Sequence, residues 1–301
     1  PSGATIATQR SALVNMAQRI LFESPMDERQ IIKAVEEVDF QLFLQKESRF
    51  GVRITRLRTE RFSIDIEELQ RKIGSKIWHA MKGRVTVDLD NPDVLFLGII
   101  YGKRFFFGTY LASRDRRGFF RRRSPQRPFF VPSALHPKIA RVMVNFSRVA
   151  CGDSFLDPFC GTGGLLLEAR ALGCLPIGLD IDIGILAGCH HNLTHYKTPF
   201  FGIGADARSP PVRSHGIDAI ATDPPYGRSS STKGAEVEKL IQTSLVPLAD
   251  LLKPRGYLCF AVPLKHYKDE LIATKDFSIT ESYTMRIHRS LSRHIVVLQR
   301  K

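Results

Sequence analysis

Cysteine is scarce and unpatterned in this 301-residue sequence. Cys151, Cys160, Cys174, Cys189 and Cys259 are scattered, form no C-x-x-C pair and are odd in number. That argues against a disulfide framework and for a reducing compartment. Long apolar runs are also lacking. The longest charge-free stretch, 183–196, has fourteen residues and carries three His, too short and too polar to span a bilayer. No basic-then-apolar leader with a cleavage site is found, so a cytoplasmic protein without membrane association is expected. The chain begins at Pro1 rather than Met, and residues upstream of it are expected. Acidic residues are the other shortage, 30 Asp+Glu against 44 Lys+Arg for a net charge of +14. With 43% hydrophobic and 25% charged residues the composition is that of an ordinary globular chain, which excludes a disordered or fibrous one. The length suggests about two domains.

The surplus of positive charge is concentrated in one half. Residues 1–150 hold 27 Lys+Arg and 15 Asp+Glu, whereas residues 151–301 hold 17 and 15. A basic half joined to a near-neutral half suggests that one part grips a polyanion while the other does something else. The peak is 114–127, RDRRGFFRRRSPQR, with seven Arg, one Asp and two Phe. Arg forks match phosphate oxygens, and aromatic rings stack on unpaired bases. A solvated basic linker is the alternative, and the charge of the whole half favours a polyanion surface at Arg116, Arg117, Arg121, Arg122, Arg123 and Arg127.

Residues 11–46 show helical spacing of Leu13, Met16 and Ile20, then Ile31, Ile32 and Val35, with Ser24-Pro25 as a break and Asp27 as a cap. Short strands are predicted over 50–57, 62–64 and 85–89, and an amphipathic helix over 66–81. VLFLGIIYGKRFFFGTYL reads as a hairpin about Gly102-Lys103. Beyond Pro132 the pattern changes. A helix over 136–149 is followed by apolar runs at 154–158, 176–181, 201–205, 217–222 and 256–262, separated by helical stretches. Such runs indicate a parallel sheet covered by helices. FSITESYTM and HIVVLQR then read as an antiparallel pair. The domain boundary is placed near 112–131.

Two motifs carry chemistry. The first, Asp157-Pro158-Phe159-Cys160-Gly161-Thr162-Gly163-Gly164, follows a predicted strand and opens a helix, where glycines let backbone pass close to a ligand. It is neither a dinucleotide fingerprint, since Leu166 stands where a third Gly belongs, nor a P-loop, since no G-K-[ST] follows. An opening acid suits a ligand bearing an ammonium group. Asp180 closes the second apolar strand, where an acid can take both ribose hydroxyls, with Asp182 as the competing ligand. Asp206 ends the third, where a carboxylate can accept from an adenine amine. Each Asp alone is more often a cap; three at successive strand ends, beside a Gly loop, define an adenosyl pocket. The second motif, Asp223-Pro224-Pro225-Tyr226-Gly227, ends the fourth strand. Two prolines remove N–H donors and leave carbonyls to accept, and Tyr226 offers a flat face. These features suit a planar ring with an exocyclic amine.

DPFCGTGG, Asp180, Asp206 and DPPYG resemble class I S-adenosylmethionine-dependent methyltransferases that act on exocyclic amines of nucleobases. With the preceding RPFFVPSALHPKIARVMVN and the following HRSLSRHIVVL, the chain resembles more narrowly the archaeal tRNA guanosine-N2 methyltransferases that modify position ten, and VDLDNPDVLFLGIIYGKRFFFGTYL resembles a THUMP domain, a tRNA-binding module. The resemblance implies an α/β fold: a Rossmann-like class I methyltransferase domain, with a seven-stranded, mostly parallel sheet whose last strand is antiparallel, preceded by an α+β THUMP-type region. The organisation expected is a partial ferredoxin-like region over 1–49, the THUMP-type domain over 50–112, a basic linker over 113–131 and the methyltransferase domain over 132–301.

The resemblance also implies the cofactor, S-adenosyl-L-methionine, held by Asp157, Phe159, Gly161, Thr162, Gly163, Asp180, Ile181, Asp206 and Ala207. Asp223, Pro224 and Tyr226 are expected to act on the guanine amine, adding one methyl group or two, with tRNA as substrate. A small zinc-containing activator protein is a partner of some relatives. The rivals are a DNA adenine-N6 methyltransferase and an RNA-binding protein with a silent methyltransferase fold. No metal site is expected: His191 and His195 lack a zincin Glu, since Asn192 stands between them. Cys160 reads as packing. Residues 228–235 read as a lid over the base or as solvated loop.

Overall fold

The computed structural model describes residues 3–57, 64–132, 134–225, 234–263, 274–288 and 291–301. The chain separates into two compact units, one of residues up to Gln9 with Val14–Arg114, the other of Arg10–Leu13 with Asp115–Lys301.

The first unit follows the helix α1 (Gly3–Arg10) with β1 (Met16–Pro25), α2 (Glu28–Glu36), β2 (Arg49–Arg56), α3 (Ile66–Ala80), β3 (Thr86–Val87), β4 (Val94–Tyr101) and β5 (Arg104–Ser113). Its five-stranded sheet runs β1-β5-β4-β2-β3. β2 is parallel to β3 and β4, and β5 is antiparallel to β4 and β1. Asp27 caps α2 by accepting from the Gln30 N–H at 2.9 Å, and Asp65 caps α3. The apolar stripes of both helices, Ile31, Val35, Leu69, Ile73 and Ile77, are buried in one cluster with Phe50, Phe96, Phe105 and Phe107. The hairpin about Gly102 forms as predicted.

Residues 16–25, in contrast, are a strand and not a helix. β1 pairs along its length with β5, and its register shifts at Ala17/Gln18 and again at Ile20/Phe22. Those two irregularities break the two-residue alternation that marks a strand, and leave an apolar spacing that imitates a helix. The strand predicted at 85–89 shortens to Thr86–Val87, and that at 62–64 falls largely outside the described residues.

The second unit begins with a short helix, α4 (Arg116–Arg121). It continues through α5 (Pro137–Phe146), β6 (Ser154–Asp157), α6 (Gly164–Arg170), β7 (Leu175–Asp180), α7 (Ile183–His195), β8 (Phe201–Gly204), β9 (Ile217–Thr222), α8 (Gly234–Leu251), β10 (Leu252–Pro263), β11 (Phe277–His288) and β12 (Leu291–Arg300). The seven strands run β11-β12-β10-β9-β6-β7-β8. β6 to β10 are parallel to one another, and β12 is antiparallel to both β10 and β11. Buried side chains cluster on both faces, Phe155, Leu166 and Val297 in one cluster and Leu156, Ile220 and Leu258 in the other. A sheet covered on both faces explains why these strands read as unbroken apolar runs. The strand order reverses direction at β6, and ligands of open α/β sheets bind outside the strand ends at such a point.

Of the stretch 113–131, expected as a linker, Ser113 ends β5 and the residues from Asp115 on are folded into this second unit. Asp115 caps α4 through the Gly118 N–H at 2.7 Å, and Phe119 is buried.

Candidate active site

β6 ends at Asp157 and hands over to a turn that leads into α6. The turn is held against β7: the Cys160 N–H donates to the Leu179 carbonyl at 2.8 Å, and the Gly161 N–H donates to Asp180 Oδ2 at 2.9 Å. Gly163 closes the turn at φ +82°, where a Cβ would lie 2.4 Å from Leu193 Cδ1 and 2.8 Å from Cys189 Sγ. Only glycine meets both conditions. Cys160 is buried, and a hydrogen bond with Cys189 together with burial pushes its thiol well up. It is a packing residue.

Asp157 is 2% exposed. Its Oδ1 accepts from the Thr222 hydroxyl at 2.7 Å and from the Phe159 N–H at 3.2 Å. Burial pushes its carboxyl up to about 7, against the lowering effect of those two donors, with the negative charges of Asp180 and Asp223 adding to the rise. A carboxyl balanced near neutrality responds strongly to a cation placed beside it.

Asp180 and Asp182 have different tasks. Asp180 accepts from the Gly161 and Asp182 N–H groups, and burial raises its carboxyl from the ordinary range. Asp182 Oδ1 caps α7, accepting from Gly184 at 2.8 Å and Ile185 at 3.0 Å. Beside them, Ile181 and Ile183 are 69% and 64% exposed, an apolar rim at the end of β7. Asp206 follows β8 and is gripped by Arg208, whose Nε lies 3.0 and 2.9 Å from the two carboxylate oxygens. That pairing holds the Asp206 carboxyl below its ordinary range. Ala207 is buried next to it. Nothing in the sequence but the D-x-R spacing hinted at Arg208.

β9 delivers Asp223 one residue after Thr222, so the hydroxyl that anchors Asp157 also sets the start of the second motif. Pro224 is buried. Asp223 Oδ2 lies 2.7 Å from Arg293 Nη1 on β12, with both side chains largely buried. Arg293 was absent from the predicted site because seventy positions separate it from its partner. Tyr226, and most of 228–235, lie outside the described residues.

Two of the six predicted RNA-binding arginines are corrected. Arg122 donates from Nε to Glu168 at 2.6 Å, and Arg141 reaches the other Glu168 oxygen at 2.8 Å. Glu168 is fully buried, so the three form an internal ion network over the Phe119 ring. Arg127 is 4% exposed and donates to the Arg122 carbonyl and to Thr162 Oγ1. Neither arginine is presented to a polyanion. Arg116, Arg117, Arg121 and Arg123 are exposed, and the Arg123 guanidinium lies 5.7 Å from the centre of the exposed Phe120 ring.

Asn192 is a further residue that sequence reasoning missed. It is fully buried, exchanges both hydrogen bonds with the Phe129 backbone and donates to the Thr162 carbonyl at 3.0 Å. Thr162 is thereby fixed from both sides, by Arg127 at its hydroxyl and by Asn192 at its carbonyl. The available signal was its place beside Cys189 and Leu193 on the buried stripe of α7, where a polar residue needs partners.

Residues 124–295 match the RMKL-like methyltransferase domain family, and residues 25–109 match the THUMP domain. The chain is 41% identical to the tRNA (guanine(10)-N2)-dimethyltransferase of Methanothermobacter thermautotrophicus, an alignment spanning 89% of this chain and 77% of the relative. It is 34% identical to the protein of the same name from Methanocaldococcus jannaschii, over 97% and 86%. The chain belongs to the tRNA (guanine(10)-N2)-dimethyltransferase family. Among solved structures, TrmN from Thermus thermophilus is similar in fold, with a TM-score of 0.54 at 20% identity over 96% of this chain and 84% of that one. The THUMP match begins at residue 25, so α2 and the residues up to 49, expected to be the remainder of a ferredoxin-like segment, fall within that domain.

Proposed function

We propose that this chain methylates the exocyclic N2 of guanosine at position ten of tRNA, with S-adenosylmethionine as methyl donor. The bond between Thr222 and Asp157 carries this reading. It ties the strand that opens the glycine turn to the strand that presents Asp223 and Pro224, so a pocket for an adenosyl group and a pocket for an amine share one sheet edge. The residues suit the cofactor: a turn in which Gly161 and Gly163 bring backbone to the ligand, carboxylates at successive strand ends, and an exposed apolar rim at Ile181. S-adenosylmethionine supplies an electrophilic methyl group on a sulfonium. Asp180 would accept from the ribose hydroxyls, Phe159 and Ile181 would hold the adenine, and Asp157 would offer a negative charge to the positive end. Asp206 accepts from the adenine amine beside Ala207, in competition with Arg208.

A guanine amine is a weak nucleophile because its lone pair is delocalised into the ring. The Asp223 carboxylate and the Pro224 carbonyl hold its hydrogens and favour a pyramidal nitrogen, while Tyr226 holds the ring. The nitrogen gains positive charge as its bond to the methyl carbon forms and that carbon's bond to sulfur breaks, leaving a neutral thioether, so Asp223 interacts more strongly with the transition state than with bound substrate. The proton then leaves to solvent. The base must leave its stack to reach this edge. The first unit grips the tRNA, and the exposed Arg116, Arg117, Arg121 and Arg123 of the second unit add phosphate contacts, in a cytoplasmic enzyme that, like some relatives, takes a small zinc-containing activator protein as partner. No helix among the described residues is long and apolar enough to cross a membrane. Mass spectrometry of tRNA nucleosides after incubation with enzyme and cofactor tests the reading and counts the methyl groups. Methylated adenine in duplex DNA, with untouched tRNA, would sink it.

A further inference from the structure

The Asp223–Arg293 pair bridges from β12 to the end of β9, across the one strand, β10, that lies between them. Arg293 stands on β12 facing Pro263 of β10 on one side and Met285 of β11 on the other. β10 in turn lies beside β9, with Phe260 in register with Thr222. The guanidinium therefore reaches the end of β9 from a strand that is not its neighbour. The acceptor it meets is the residue next to Thr222, whose hydroxyl donates to the buried Asp157 carboxyl at 2.7 Å.

We propose that Arg293 is the positioning residue for Asp223. By holding Oδ2 at 2.7 Å it sets the plane of the carboxylate and hence the direction of Oδ1 toward the substrate amine. A guanidinium suits this task because it stays charged at every relevant pH and engages a carboxylate directionally. Stability is a weak reason for the pair, because desolvating two charges offsets most of their attraction. The inference rests on the functional reading above, in which Asp223 receives the amine.

The test uses the full chain and single-turnover methyl transfer to unmodified tRNA. Four variants are compared with wild type: Arg293→Met, Arg293→Lys, Asp223→Asn and the double variant Arg293→Met/Asp223→Asn. Losing a charge-assisted partner should slow transfer by Arg293→Met about 10- to 100-fold, with cofactor and tRNA affinities held near wild type. Arg293→Lys should recover most of the rate. In the Asp223→Asn background, adding Arg293→Met should change the rate little, because the group it positions is gone. The proposal is overturned if Arg293→Met transfers methyl at the wild-type rate, if lysine restores nothing, or if the two penalties multiply. Should Arg293→Met not fold, the lysine variant and the double variant, which leaves no lone buried carboxylate, decide between the same outcomes. A wild-type chain that leaves tRNA unmethylated defeats the functional reading itself. An inactive Asp223→Asn beside a fully active Arg293→Met defeats only the role of Arg293.

Discussion

Thr222 donates its hydroxyl to Asp157 at 2.7 Å, and the acceptor is a buried carboxyl pushed up to about 7. Two strands of the sheet are thus joined at their ends by a group that is near its titration point at physiological pH. The folded value lies above the ordinary 3.8 of an unfolded chain, so the native state holds this proton more tightly. The contribution of this carboxyl to stability accordingly falls as pH rises from about 4 through 7, and is flat above. Asp157→Asn should raise the unfolding free energy at pH 8 by on the order of 4 kcal/mol, with the gain vanishing toward pH 4. Urea unfolding at the two pH values measures it. The same variant should lose affinity for S-adenosylmethionine. A gain independent of pH would mean that packing, not charge, sets the cost of Asp157.

Asp180→Ala should weaken cofactor binding by about 1.5–3 kcal/mol, the usual worth of a hydrogen bond to a charged acceptor. Its affinity for tRNA should stay close to wild type. Asp182→Ala should do the reverse of the first effect: leave cofactor affinity in place and cost about 1 kcal/mol of stability through the lost cap of α7. Calorimetry and thermal melts on the two variants separate the roles.

Asp223→Ala should reduce single-turnover methyl transfer by roughly 100-fold or more, while both tRNA and cofactor still bind. Tyr226→Phe should be mild and Tyr226→Ala severe, since the ring and not the hydroxyl supplies the stacking surface. Near wild-type transfer by Asp223→Ala would remove the carboxylate from the mechanism.

Neutralising Arg116, Arg117, Arg121 and Arg123 together should weaken tRNA binding and flatten its salt dependence, each lost phosphate contact removing up to about one unit of slope in log K against log salt. Arg122→Ala should leave that slope alone and instead destabilise the fold by about 1–3 kcal/mol, because the buried Glu168 is left with Arg141 as its remaining partner. Filter binding over a salt series, paired with denaturant melts, would show the two groups of arginines parting. If Arg122→Ala lowers the salt slope as much as Arg121→Ala does, its assignment to the interior is wrong.

The elements that were legible from sequence are those whose local pattern and global place agree. Residues 217–222 are apolar because β9 is covered on both faces, and the predicted and observed spans coincide. The final antiparallel pair was readable for a similar reason, as two runs with too short a connection for a crossover. β1 was not, because its two register shifts hide the alternation of a strand. At the site, motif residues declared themselves by type and spacing. Their partners did not. Arg208, Asn192 and Arg293 are defined by what they touch, and Arg293 meets Asp223 only after β9, β10 and β12 have assembled side by side. Arg122 and Arg127 misled in the opposite direction: a run of arginines looks uniform in sequence, and only the position of Glu168 shows which of them turn inward.

β1 is the first strand of its sheet to be synthesised, yet it pairs with the last, β5, so that Met16 faces Ser113 and Pro25 faces Arg104. Until Ser113 has left the ribosome, β1 has no partner and the sheet stays open. Once it has, every strand of the first sheet is in hand and none of the second has emerged, since β6 begins only at Ser154. Domains generally fold as units during synthesis, the N-terminal one first. A nascent chain therefore has its whole first sheet in hand before any strand of the second exists, and a chain that stops between residues 113 and 154 carries the strands of one sheet and none of the other.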